Sequence, residues 1–179
     1  ELAGDWFKLH RNQIIDQRHV TRWVRINSLD SRLWREDLVA VLPGAPEGIV
    51  LPRATGPEAV RQLAAELYEL EQANQIPAGS TKILPLVGDT AQAAMNIGAY
   101  VGDSLPRLAG LGWSAESLAT ALNATRKRDT KGGWTDAFRF VRAQTLLSAH
   151  GLGVMAVEAL HANHTDIKGL KAAAKEARA

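Results

Sequence analysis

The sequence predicts an α/β fold whose parallel strands wind as a barrel, and three observations carry that expectation. Short, almost continuously apolar runs recur along the chain, as in strands buried on both faces of a parallel sheet. An amphipathic stretch of helical period follows each run, the alternation of successive βα units. No G-x-G-x-x-G follows the first run, so an open dinucleotide-binding sheet is disfavoured relative to a barrel.

Residues 21–26 are rich in β-branched and aromatic side chains and read as the first strand. After a turn over 27–31, Leu33, Trp34, Leu38, Val41 and Leu42 mark a helix. Gly48-Ile49-Val50-Leu51 is the second strand, stopped by Pro52, and Gly56-Pro57-Glu58 opens a helix with Val60, Leu63, Ala64, Leu67 and Leu70 on one face. Residues 82–87, interrupted by Pro85, form the third strand, and 90–100 a helix with small packing residues. The fourth unit pairs a strand at 107–113 with a helix at 115–122. A basic loop over 123–133, a helix over 136–150, a fifth strand at 153–160 and a helix from about Asp166 complete the pattern. Residues 1–20 read as an N-terminal helical segment, and 21–179 as βα units of a single domain.

Composition narrows the function classes. The chain has 179 residues, 46% apolar and 22% charged, with 21 Lys and Arg against 19 Asp and Glu. A net charge of +2 does not call for a nucleic-acid partner. The absence of Cys excludes disulfides, thiolate metal sites and a cysteine nucleophile. No window approaches the roughly 18 consecutive apolar residues of a membrane helix, so no membrane association is expected, and the expected compartment is the cytoplasm. No P-loop, zinc motif or serine-hydrolase elbow is present.

In a parallel barrel the chemistry sits at the C-terminal ends of the strands. Those ends read Trp23-Val24-Arg25-Ile26-Asn27-Ser28-Leu29-Asp30, Gly48-Ile49-Val50-Leu51-Pro52-Arg53, Ile83-Leu84-Pro85-Leu86-Val87-Gly88-Asp89-Thr90-Ala91 and Leu108-Ala109-Gly110-Leu111-Gly112-Trp113-Ser114-Ala115-Glu116-Ser117-Leu118. In this order and spacing, they resemble the HpcH/HpaI aldolase/citrate lyase family, and within it the citrate lyase β-subunit-like CoA-ester lyases. The resemblance runs from about Arg22 to the C-terminus.

The resemblance implies a (β/α)8 TIM-type barrel enzyme that makes or breaks a carbon–carbon bond between an acyl-CoA and a 2-oxo acid, of citryl-CoA or malyl-CoA lyase type, with Mg²⁺. A hard divalent ion held by carboxylates can chelate a 2-oxo acid and polarise its carbonyl. Arg25 matches the family's R-[VI]-N arginine and would bind the acid's carboxylate through two parallel hydrogen bonds. Asp89 matches the glutamate ligand of the family's E-T-A motif, with Gly88 and Thr90 beside it as substrate contacts. Ser117 matches the second ligand, an aspartate in G-A-E-D-L, and Glu116 the residue before it. Arg53 stands where many members carry Lys and is a candidate for contact with substrate or with CoA phosphates. Trp113 and Trp134 read either as core or subunit contacts, the default for Trp, or as residues that stack on a ligand, with Trp113 the candidate substrate contact.

Two departures fall on the metal. Glu to Asp withdraws a carboxylate by about 1.5 Å, whereas ligand distances hold within about 0.2 Å. Asp to Ser removes a full negative charge and leaves a poor Mg²⁺ ligand. Weak metal binding is the expectation unless substrate oxygens or Glu116 compensate, and a non-catalytic relative or partner subunit that binds a CoA ester or oxo acid is the alternative. Ser-for-Asp aside, His161 and His164 at a spacing of three, with Asp166 nearby, read as a loop with Asp166 capping the next helix rather than as ligands. Arg126-Lys127-Arg128 reads either as a solvated loop or as a contact for CoA phosphates.

Family resemblance also implies a homo-oligomer, with a trimer as one form. An eight-stranded barrel usually needs about 250 residues, and only five strands are readable here. The expectation is therefore an incomplete barrel, lacking an upstream strand pair with an acidic D-L-E-D-type segment and a final strand.

Overall fold

The computed structural model describes residues 5, 21–163 and 165–178. The helical segment expected over 1–20 and His164 lie outside the described residues, Asp5 excepted. Five strands form, β1 (Trp23–Arg25), β2 (Gly48–Leu51), β3 (Lys82–Pro85), β4 (Gly110–Gly112) and β5 (Met155–Val157). They are separated by helices α1 (Trp34–Val41), α2 (Pro57–Ala73), α3 (Ala91–Met95), α4 (Ala115–Ala121) and α5 (Asp136–Gly151), and α6 (Ile167–Ala177) follows β5. Short 3-10 turns extend α1 (Leu42–Gly44) and follow α3 (Ile97–Tyr100). No described helix is long and apolar enough to cross a membrane.

All pairings between strands are parallel. Val24 lies opposite Ile49, Ile49 opposite Ile83, and Leu111 opposite Ala156. Two single bridges, Ile83 with Leu108 and Leu86 with Gly112, join β3 to the β4 side. The amide of Ile83 donates to the Arg107 carbonyl at 2.8 Å, and that of Val87 to the Gly112 carbonyl at 2.8 Å. The strands therefore lie side by side in chain order, without the reversal that marks a doubly wound sheet. Among the described residues, β1 and β5 each pair on one side only. Burial follows this placement: β4 is buried throughout and β2 nearly so, whereas β1 and β5 are partly exposed.

The helices form where the apolar period runs. Pro57 opens α2, and Val60, Leu63 and Leu67 turn inward, each at most 1% exposed. The strands expected at 21–26, 82–87, 107–113 and 153–160 are all shorter than their runs, the last two most of all. At the fifth, Gly153 takes a left-handed φ of 69° and closes α5, as Val154 N bonds the Ala149 carbonyl at 3.0 Å and Gly153 N that of His150 at 3.1 Å. Residues 153 and 154 thus serve the helix end instead of the strand. At the fourth, only Gly110–Gly112 forms a ladder, with Arg107 and Leu108 meeting β3 at its start. The helix expected over 90–100 breaks at Asn96, whose side chain donates to the Thr55 carbonyl at 2.9 Å and ties the break to the loop after β2.

One buried ion pair fixes the N-terminal ends of the central strands. Glu71, near the end of α2, is 0% exposed, and Arg107 is 8% exposed. The Arg107 guanidinium donates to both Glu71 oxygens at 2.8 and 2.7 Å and to the Thr81 carbonyl at 3.1 Å. The amides of Gly79 and Thr81 donate to the same carboxylate at 2.8 and 3.0 Å. Burial pushes the Glu71 carboxyl up, but the bonds from Arg107, Gly79 and Thr81 outweigh it and hold the carboxyl below its ordinary value.

A carboxyl with a lowered folded pKa adds stability that is fully present above its unfolded pKa and is lost as pH falls through the folded pKa. Glu71→Gln strands the buried Arg107 charge and is expected to cost about 3 kcal/mol at neutral pH. Urea unfolding should show that deficit shrinking as pH drops below the ordinary carboxylate range; a deficit that does not change with pH would contradict this account.

Candidate active site

A cavity of about 750 Å³ opens where β1, β2 and β3 end and α4 begins, and its wall includes Arg25, Asn27, Asp37, Arg53, Asp89 and Ser117. Arg25 is the last residue of β1 and is exposed. The turn after it is held by Asn27, whose amide and side-chain Nδ2 both donate to Asp37 Oδ2, at 2.7 and 2.8 Å. Asp37 lies in the first turn of α1. It was not a sequence candidate, because an acidic residue there reads as a response to the helix dipole; only the pairing with Asn27, ten positions earlier, reveals it.

Arg53 follows Pro52 beyond the end of β2 and adopts a left-handed backbone, with φ at 53°. Its amide donates to Asp89 Oδ2 at 2.8 Å, and its guanidinium Nη2 lies 3.3 Å from Asp30 Oδ2. Asp89 sits just past β3 and is 1% exposed. Its other oxygen, Oδ1, is buried and has no hydrogen-bond partner. Burial pushes the Asp89 carboxyl above its ordinary value, against the opposing pull of the Arg53 amide and of the Arg25 and Arg53 charges. Tyr100, fully buried, donates to the Ala54 carbonyl at 3.4 Å, and burial together with the charge of Asp89 keeps its hydroxyl neutral.

The two neighbours of Asp89 have different places. Thr90 lines the cavity and caps α3, its Oγ1 accepting from Ala93 N at 3.1 Å. Gly88 lies behind the wall, where a Cβ would collide with Val141 of α5 and press on the Cβ of Trp113. No larger residue fits there, which is a packing requirement rather than a contact with the cavity.

At α4, the Ser114 side chain caps the helix by accepting from Ser117 N at 3.2 Å, and its hydroxyl donates to Ser117 Oγ at 2.9 Å. Ser117 faces the cavity. Glu116 does not: successive helical residues point about 100° apart, and Glu116 lines a separate cavity of about 270 Å³ and pairs with Lys127. Trp113 is also absent from the wall. It is 3% exposed, donates from Nε1 to Glu158 Oε1 at 2.7 Å and meets Trp134 edge to face at 5.2 Å. The structure thus brings Arg25, Arg53, Asp89, Thr90 and Ser117 to one cavity and leaves Gly88, Trp113 and Glu116 outside it.

The basic loop is tied down locally. Lys127 is held by Glu116, and the Arg128 guanidinium lies 3.7 Å over the Trp134 ring. Asp166 caps α6, accepting from Gly169 N at 2.8 Å, with His161 Nε2 4.0 Å away. Among the described residues, no group of three or more His, Cys, Asp or Glu could hold a metal ion. The oxygen ligands the wall offers include Asp89, with one oxygen lacking any partner, the neutral Ser117 hydroxyl, and Asp37, whose Oδ2 is engaged by Asn27. Such a set fits a Mg²⁺ ion only when substrate oxygens and water complete its shell.

Residues 8–179 match the model of the HpcH/HpaI aldolase/citrate lyase family, and the chain belongs to that family. It is 30% identical over 156 residues to the citrate lyase subunit beta-like protein of Mycobacterium tuberculosis, 87% of this chain and 50% of that protein. It is 25% identical over 165 residues to the mitochondrial citramalyl-CoA lyase of Mus musculus, 87% of this chain and 47% of that protein. The chain spans about half the length of these curated relatives. The fold agrees with that of the M. tuberculosis citrate lyase beta subunit complexed with oxaloacetate and magnesium, at a TM-score of 0.70 and 29% identity over 87% of this chain and 61% of that one. The M. tuberculosis protein CitE with magnesium, acetoacetate and coenzyme A matches at 0.66 and 30% identity, over 87% and 51%. A Haloferax volcanii malate synthase, 17% identical, shares the fold at 0.80 over 98% of this chain and 50% of its own.

Because the folded state raises the Asp89 pKa, the contribution of Asp89 itself favours folding where it is protonated, and that contribution is lost as pH rises through the folded pKa. Asp89→Asn keeps an acceptor for the Arg53 amide and removes the buried charge. It is expected to be about 1 kcal/mol more stable than the parent at neutral pH, with the difference vanishing below the ordinary carboxylate range. Urea unfolding without added metal at the two pH values measures it; a destabilised variant at neutral pH would refute the reading of Asp89 as a strained anion.

Proposed function

We propose that this chain carries the 2-oxo acid site of a Mg²⁺-assisted carbon–carbon lyase that acts on an acyl-CoA and a 2-oxo acid, in five units of a (β/α)8 barrel. The observation that supports this most is the meeting of Arg25 and the buried Asp89 in one cavity at the C-terminal ends of three parallel strands. Arg25 receives the acid's carboxylate in two charge-assisted hydrogen bonds. Arg53 presents a second cation at the same wall, and its amide holds one Asp89 oxygen, leaving the other as the ligand atom. Thr90 and Ser117 add hydroxyls that orient the acid or its bound water. Bound Mg²⁺ supplies polarisation of the acid's carbonyl and stabilisation of the negative charge that develops there. The relatives named above as citramalyl-CoA lyase and as a magnesium and oxaloacetate complex support this choice of substrate class.

A second reading is favoured by a specific observation. Ser117 is neutral and Glu116 faces another cavity, so neither α4 motif position brings a carboxylate to Asp89, and Asp37 at the same wall holds the turn at Asn27. In this reading the chain binds an oxo acid or CoA ester without appreciable cleavage.

Calorimetric titration of Mg²⁺ separates the two. Mg²⁺ alone is expected to bind weakly and to bind more tightly with oxaloacetate present, while Arg25→Ala weakens oxaloacetate binding about a hundredfold. Ser117→Asp restores a carboxylate and should tighten Mg²⁺ binding about tenfold. Binding without cleavage of citryl-CoA or malyl-CoA selects the second reading, and no binding of either Mg²⁺ or oxaloacetate, together with no cleavage, rejects both.

A further inference from the structure

The cavity wall carries two guanidinium groups beside the carboxyls of Asp37 and Asp89, one guanidinium more than the single carboxylate of a simple 2-oxo acid can pair with. Arg25 and Arg53 both line it, and both act electrostatically on the same carboxyl of Asp89. If Arg25 takes the carboxylate adjoining the carbonyl, a monocarboxylic acid such as pyruvate leaves Arg53 with nothing to bind. A 2-oxo dicarboxylic acid does not.

The situation of Arg53 is that of a binding group held in reserve. Its left-handed backbone is unusual for a residue with a side chain and is retained at a cavity wall, where such conformations accompany function. That conformation coincides with an amide bonded to Asp89 and a guanidinium reaching toward the turn after β1. Its partner there, Asp30, gives it up readily. The two side chains are 58% and 61% exposed, so the pair contributes little. Asp30 also keeps the hydroxyl of Ser28, the first cause of its lowered pKa, when Arg53 leaves. An incoming anion can therefore take Arg53 without stranding a charge. The planar guanidinium fork matches a carboxylate with two parallel hydrogen bonds, which a lysine could not supply.

We infer that Arg53 determines specificity by exchanging its pairing with Asp30 for the distal carboxylate of a 2-oxo dicarboxylic acid, so that the site prefers such acids over 2-oxo monocarboxylic ones. This rests on the oxo-acid reading of the cavity above. A phosphate of CoA offers similar chemistry, but the direct bond between the Arg53 amide and Asp89 places the residue beside the buried carboxylate, which favours the acid.

The test compares oxaloacetate with pyruvate by calorimetry on the full chain in Mg²⁺ buffer. Arg53→Gly is the informative variant, because glycine accepts the left-handed φ and retains the amide bond to Asp89. The parent is expected to favour oxaloacetate by about tenfold or more. Arg53→Gly should bring that ratio close to one, Arg53→Lys should leave it intermediate, and Asp30→Asn should raise it about threefold by removing the competitor. An unchanged ratio in Arg53→Gly overturns the inference, as does an equal loss for both acids. A fall in affinity for free CoA with the ratio preserved assigns Arg53 to phosphate and overturns it too. If the parent binds both acids alike, this inference fails and the oxo-acid reading stands; if it binds neither, the reading itself fails.

Discussion

The pairing of Glu71 with Arg107 is the constraint on which the arrangement of the strands depends. The two residues come from the end of α2 and from the segment leading into β4, and the carboxylate also gathers the amides of Gly79 and Thr81 just before β3. One buried cluster therefore sets the starting points of two adjacent strands relative to a helix. A parallel strand is built from evenly spaced bonds, so fixing where it starts also fixes which residues emerge at its far end. Asp89 lies past the end of β3, and Trp113 and Ser114 lie past the end of β4. The polar chemistry at the upper rim is thus positioned by a polar lock at the lower one.

At the rim the balance of forces is different. Both carboxylate oxygens of Glu71 are matched, whereas Asp89 is buried with one oxygen unmatched and its pKa raised. Leaving a buried acceptor without a partner costs free energy, a cost that a ligand would relieve under the proposed function. The left-handed Arg53 beside it is a second local compromise. Under the proposed function, stability and binding are served at opposite ends of the same strands.

Much of the fold was legible in the sequence because parallel strands covered by helices leave a strong pattern. Gly48–Leu51 was readable to its last residue, since Pro52 ends the ladder by chemistry that needs no tertiary context. The ends at Gly153 and Asn96 were not, because a helix closing on Gly153 and a side-chain bond to Thr55 depend on what lies nearby in space. The site divides in the same way. Arg25, Arg53, Asp89, Thr90 and Ser117 follow strand ends or a helix start and reach one cavity, as motif order implies. Glu116 and Trp113 occupy motif positions as well, but the turn of a helix and the partner Glu158 send them elsewhere. Asp37 had no motif at all.

The seam between β3 and β4 has a consequence for motion. Arg25 ends β1, and Arg53 and Asp89 follow β2 and β3 of the same continuous ladder, whereas Ser117 follows β4, which meets β3 through two single bridges. Local opening is cheapest where few backbone bonds must break at once. Amide protons along this seam, such as that of Val87, are therefore the ones expected to exchange with solvent ahead of those within the β2–β3 ladder. The three charged groups then breathe as one plate, and the distance from that plate to the Ser117 hydroxyl becomes the soft coordinate of the cavity.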